Sequence, residues 1–169
     1  MQIDVDLPNI GRSSDDNNKE VNVMSDQING KPPTSFWIIA GVALVWNLIG
    51  MVIYYMQVTS SPEDLAKYYN DVELAFITST PTWATSAYAI AVTAGVLACV
   101  FLLLRKAWAL PMFMISLAGV FVQDIYAFVM ADGIGVWGMK GTILPFIVFV
   151  IGVGLIFYSR SAKDDHWID

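Results

Sequence analysis

Four long apolar runs, holding one acid and no base between them, limit what this chain can fold into. They cover about residues 36–58, 82–104, 107–130 and 142–158. Roughly 20 apolar residues in a helix cross the ~30 Å hydrocarbon core of a bilayer. In lipid, the backbone of such a segment can satisfy its hydrogen bonds only within a helix or a closed barrel. The pattern therefore predicts an all-α membrane protein, a bundle of four transmembrane helices over residues 36–158. Composition agrees. Only 14% of residues are charged and the mean hydropathy is +0.58, whereas a soluble domain carries about 25% charge.

The charge lies outside the spans. Six of the fifteen acids precede residue 27 and three fall in the last six positions. The net charge of −6 thus belongs to aqueous tails, with no basic patch of the kind a nucleic acid requires. Residues 1–35 lack aromatics and are rich in Asp, Asn, Ser and Gly, which predicts a disordered cytoplasmic tail. The apolar run beginning at Phe36 is too long and too far from the start for a secretory signal. Residues 159–169 read as a short cytoplasmic C-terminal tail.

Boundary signals sharpen the spans. Pro32-Pro33 and Ser35 precede the first, and Ser35 is a plausible N-cap. Thr80 and Pro81 suit the start of the second. Arg105-Lys106 form a very short turn into the third, and Pro111 and Pro145 sit near helix starts, where a missing N–H costs little. Between the first two spans, Ser61-Pro62-Glu63-Asp64 opens a short amphipathic surface helix continuing through Leu65, Tyr68, Tyr69, Val72 and Leu74-Ala75. The connection 131–141, ADGIGVWGMKG, has four glycines and a tryptophan and reads as a flexible interfacial loop.

Lysine and arginine set the orientation. Arg12, Lys19, Lys31, Arg105, Lys106, Arg160 and Lys163 fall on one side, against Lys67 and Lys140 on the other. Both termini are therefore expected in the cytoplasm, N-in and C-in. Trp37, Trp83, Trp108 and Tyr158 lie near span ends, where interfacial aromatics belong.

Polar residues at membrane depth are the candidates for function. Asn47 shares a helical stripe with Ala40, Ala43, Gly50 and Tyr54. The second span offers Ala84, Tyr88, Ala91, Gly95 and Ala98, and the third offers Ser116, Gly119, Gln123 and Tyr126. Small residues at this spacing let helices approach, and a polar residue among them bonds across the interface. Packing alone accounts for Asn47 and Gln123. Gly152 and Gly154 read as a packing pair in the fourth span. Asp124 is the one acid in the four spans, roughly 9 Å below the outer end of its helix by helical rise, with no base at that depth. Tyr54, Tyr55, Tyr88, Gln123 and Tyr126 lie at a similar level. Asn47, Tyr54, Tyr88, Gln123, Asp124 and Tyr126 together form a candidate polar intramembrane site. Two readings of Asp124 stand side by side: a binder of a proton or polar solute, or an acid tolerated near the headgroups.

No glycine-rich phosphate loop, nucleophile elbow, carboxylate pair or metal-ligand cluster is present in the sequence. The lone Cys99 cannot form an intrachain disulfide and reads as a small buried hydrophobe. The only histidine, His166, stands apart from any partner. No catalytic residue, cofactor or metal is expected.

The strings WNLIGMVIYYMQVTSSPEDLA, TPTWATSAYAIAV and LLLRKAWALPMFMISLAGVFVQDIYAFVM resemble a family of small bacterial inner-membrane proteins with four helices, often labelled "sugar transporter". The likeness covers roughly residues 44 to 160, most specifically WNLIG, YYMQVT, PTWAT and RKAWALP. It implies the four-helix fold and a bacterial inner-membrane location. The chain departs from the family in a longer N-terminal tail and in an acid at position 124, where an apolar residue is expected. The sequence thus points first to an accessory or interaction protein, working as a homo-oligomer or with a membrane-protein partner. The alternative is an oligomeric transporter or channel subunit for a small, sugar-like polar solute. In either case lipid is its immediate surrounding. A cysteine reporter within residues 60–80 is expected to label with impermeant maleimide from the periplasmic side; labelling only from the cytoplasm would reverse the orientation.

Overall fold

A computed structural model describes residues 14–28 and 30–169. The chain divides into two compact units, Met1–Lys31 and Pro32–Asp169. In the first, α1 spans Ser14–Ile28, with Asp15 and Asp16 in its first turn, where acids favour the helix dipole. Its side chains from residue 15 to residue 22 are exposed. Within the tail read as disordered over 1–35, residues 14–28 are helical. Residues 1–13 and 29 of that tail lie outside the described residues.

The second unit contains α2 (Thr34–Thr59), α3 (Pro62–Leu65), α4 (Asp71–Ser79), α5 (Thr82–Leu103), α6 (Ala109–Asp124) and α7 (Gly133–Asp164). A π-helical turn, Ile125–Met130, extends α6. Among the described residues there is no strand. Four helices are long and apolar enough to cross a membrane: Thr34–Thr59, Thr82–Leu103, Ala109–Met130 and Gly141–Asp164. The first three agree closely with the spans read from sequence.

The fourth does not. α7 begins at Gly133, within the stretch read as a flexible loop, and runs to Asp164, past the span end expected at 158. Asp132, left-handed at φ 48°, accepts a hydrogen bond from the Gly135 N–H and so starts the helix. Gly138, at φ 65° and ψ −179°, then kinks it, a conformation that glycine adopts without Cβ strain. At the far end Ser159 and Ala162 are fully buried, so the polar residues after Tyr158 continue a helix with a packed face.

Nor is 159–169 a free tail. His166, at φ 58°, ends α7 in a Schellman turn, with Trp167 N–H donating to the Ala162 carbonyl at 2.8 Å and His166 N–H to Lys163 at 3.1 Å. Arg105, at φ 57°, ends α5 the same way, through Lys106 to Phe101 and Arg105 to Leu102. The two reversals then join. Arg105 Nε donates to the Trp167 carbonyl at 2.7 Å, and Asp169 N–H donates to the Arg105 carbonyl at 2.8 Å. The rings of Tyr158 and Trp167 lie 6.3 and 6.1 Å from that of Phe36, which is fully buried.

The segment read as one short amphipathic helix forms two, α3 and α4. Ser61 caps α3, and Lys67 lies 2.7 Å from Asp64. The hydrogen bonds from Lys67, and secondarily Ser61, hold that exposed carboxyl below its usual range. Asn70 stops the run because its side chain forms a capping box with Glu73 and starts α4. Neither Ser35 nor Thr80 acts as the expected cap: Pro33 and Pro81 occupy those positions, and Thr80 Oγ1 donates back to Phe76.

Within the bundle α5 packs on both α2 and α6, and α6 packs on α7, while α2 and α7 share no extensive contact. The central place of α5 follows from its small residues. Ala84, Ala87, Ala91, Ala94 and Ala98 are all buried. A Cβ on Gly119 of α6 would stand 2.8 Å from the Ala87 carbonyl oxygen and 3.0 Å from the Ala91 N. A Cβ on Gly50 would meet only Val92 Cγ1, at 3.8 Å. Gly119→Ala is therefore expected to destabilise the bundle by about 1–3 kcal/mol, with Gly50→Ala within about 0.5 kcal/mol of the unsubstituted protein. Unfolding in detergent or bicelles checks both.

Candidate functional site

The separation of α2 from α7 leaves a cavity of about 430 Å³, floored by α5 and α6. Phe113 and Leu155 close one end, and both belong to the packed core with Phe36, Cys99 and Leu102. At the other end Trp137, on the first turns of α7, lines the cavity and packs on Phe76 of α4, with ring centroids 4.4 Å apart. The remaining side is the seam itself. Ile49 and Ile53 on α2 and Leu144 on α7 edge the cavity and are 54%, 40% and 56% exposed, so it opens sideways, between helices of membrane-spanning length.

Of the six residues singled out in the sequence, four line this cavity: Asn47, Tyr88, Gln123 and Asp124. Tyr54 does not; it packs edge-on against Tyr88 at 5.2 Å. Tyr126 is buried on another side, 5.5 Å from Trp83 and 6.0 Å from Phe76. Tyr55, 65% exposed, stands apart.

The four differ in what they have left to offer. Asn47 Nδ2 donates to the Ala43 carbonyl at 2.8 Å and reaches Cys99 Sγ at 3.5 Å. Its amide oxygen occupies the space that a Cβ at Gly95 would need. Asn47 is therefore engaged as a packing element between α2 and α5. Ser116, also on the cavity wall, donates to the Ala91 carbonyl at 2.7 Å. Gln123 is different: its side-chain oxygen is buried with no hydrogen-bond donor. Asp124 is half-buried and pairs with no cation among the described residues. An unpaired acceptor in a low-dielectric setting costs free energy; the hydroxyls of Tyr158 and Ser159 are likewise buried without a partner, so what sets this place apart is the Asp124 carboxyl, with no cation beside it among the described residues. The π-helical turn begins immediately after Asp124, and such turns recur at functional sites.

Trp46 and Trp137 are cavity-lining residues that the sequence reading missed. Trp46 sits in an apolar run where periodicity cannot separate cavity from lipid. Trp137 lay in the presumed loop, although Asp132 ahead of a small-residue run is a helix-start signal. Chemically, the site is an apolar crevice with one acid, Asp124, on its wall, the size and character of a small-molecule site. Among the described residues no group of three or more His, Cys, Asp or Glu comes together. The chain matches no known protein family, no curated protein and no solved structure.

Asn47→Ala is expected to lower stability by about 1 kcal/mol, the scale of an interhelical bond in lipid. Asp124→Asn, which has no partner to lose and removes an unpaired half-buried charge, is expected to leave stability unchanged or raise it. Comparative unfolding of the two variants tests this division between packing and binding residues.

Proposed function

We propose that this protein is a non-enzymatic accessory protein of the bacterial inner membrane, with both termini in the cytoplasm, and that it works by binding within the bilayer. The observation that carries this reading is the side-opening crevice between α2 and α7, with Asp124 unpaired and the Gln123 carbonyl lacking a donor. A bundle built only for packing would close that seam, because each buried void forfeits contacts. The blind end at Phe113 and Leu155 favours holding an occupant over conducting one.

Transport of a small polar solute is the second reading, and Gln123 with Asp124 favours it, since both accept hydrogen bonds of the kind sugar hydroxyls donate. It requires a second copy, because the packed core fills one half of this bundle and leaves no path along it. In that case a sugar or polyol raises thermal stability and Asp124→Asn abolishes the rise.

Native mass spectrometry of the protein extracted gently from bacterial membranes tests the accessory reading. A co-purifying species, either a small amphiphile or a discrete partner chain, is expected. It should be lost from Val148→Trp, which fills the crevice from α7, and retained in Val129→Trp on the exposed face of α6. A bare protein, or equal retention in both variants, overturns the reading.

A further inference from the structure

Resting on the accessory reading, we infer that the occupant of the crevice is an amphiphilic amine, its apolar body between α2 and α7 and its protonated head at Asp124. Three features of the cavity lead to this class. Its wall is overwhelmingly apolar and aromatic, with Trp46, Ile53, Phe113 and Trp137 among its residues, so the occupant is largely hydrocarbon. Entry is sideways, past Ile49 and Leu144, so the occupant arrives from the lipid phase. The third feature is charge. One acid and, among the described residues, no Lys, Arg or His line the cavity, and Asp124 forms no ion pair with a described residue.

The acid decides the head group. The Asp124 carboxylate accepts hydrogen bonds, and two polar residues of the same wall are already engaged, Asn47 with Ala43 and Ser116 with Ala91. An ammonium supplies donors and a positive charge together, and a charge-assisted bond to a carboxylate is about twice as strong as a neutral one. An anionic head would instead meet like charge, and an alcohol would leave the carboxylate unpaired. Four residues separate Val120 from Asp124 on α6, and both line the cavity. Apolar wall and polar head site thus lie on one helix face, as an amphiphile requires.

The test uses the purified full chain in neutral phosphatidylcholine nanodiscs, titrated with dodecylamine, dodecanol or dodecanoate and read by thermal midpoint. A ligand that binds only the folded form stabilises it by RT ln(1 + [L]/Kd), so the midpoint rises with ligand concentration and affinity. Dodecylamine is expected to raise it, and the alcohol and the carboxylate to raise it little or not at all. Asp124→Asn should weaken the response to dodecylamine about tenfold or more, and Val148→Trp should remove it. Equal responses to amine and alcohol, undiminished in Asp124→Asn but lost in Val148→Trp, would overturn the amine and leave the crevice as a binding site. If no probe acts while native mass spectrometry shows a crevice-dependent species, the amine inference falls and the accessory reading stands; if both fail, both are overturned.

Discussion

The close approach of α6 to α5 at Gly119 is the constraint on which the rest of the bundle depends. In lipid there is no hydrophobic force to press apolar helices together, so association rests on van der Waals fit and interhelical hydrogen bonds. Gly119 supplies the fit: there is no room for a Cβ between it and the backbone of Ala87 and Ala91. Ser116, one turn away, adds the hydrogen bond to Ala91. With α6 seated on one side of α5 and α2 on the other, α7 finds its place on α6, away from α2. The crevice is the geometric result of four helices packed in a row that does not close.

Its two ends are shut by different means. At one, the reversals at Arg105 and His166 bind the chain's last residues to the α5–α6 turn, while Phe36 packs against Tyr158 and Trp167. There the first and last long helices are drawn together. At the other, α4 meets α7 through Phe76 and Trp137. Asp124 stands between these closures, on the wall of the crevice, with the buried Gln123 oxygen beside it in sequence. The same arrangement that satisfies Asn47 and Ser116 inside the bundle leaves these two residues without partners, and this imbalance separates a site from a packing feature.

Much of this was legible in the residues. Unbroken apolar runs bounded by Pro32-Pro33, Pro81 and Arg105-Lys106 define helix ends by local chemistry, and the stripes through Asn47, Gly95 and Gly119 announce close packing. Four of the six candidate site residues meet at one cavity for the same reason: depth along a helix is a matter of counting. What failed was whatever depended on distant contacts. The residues after Tyr158 look like a polar tail until Ser159 and Ala162 are seen buried and Trp167 paired with Arg105. The glycines around Trp137 suggest a loop until Asp132 caps a helix and Phe76 holds the tryptophan in place.

The sequence by itself determined how many long apolar helices there are and roughly where the first three begin and end, because hydropathy, proline and charge act within a few residues of themselves. Only the tertiary structure decided which polar side chains are occupied and which are free. Asn47 is engaged because Cys99 and Gly95 face it from another helix, and Ser116 because Ala91 does. Asp124 is free because α2 and α7 do not meet across from it. Pairing is a property of side chains brought together from distant parts of the chain, and no reading along one helix contains it.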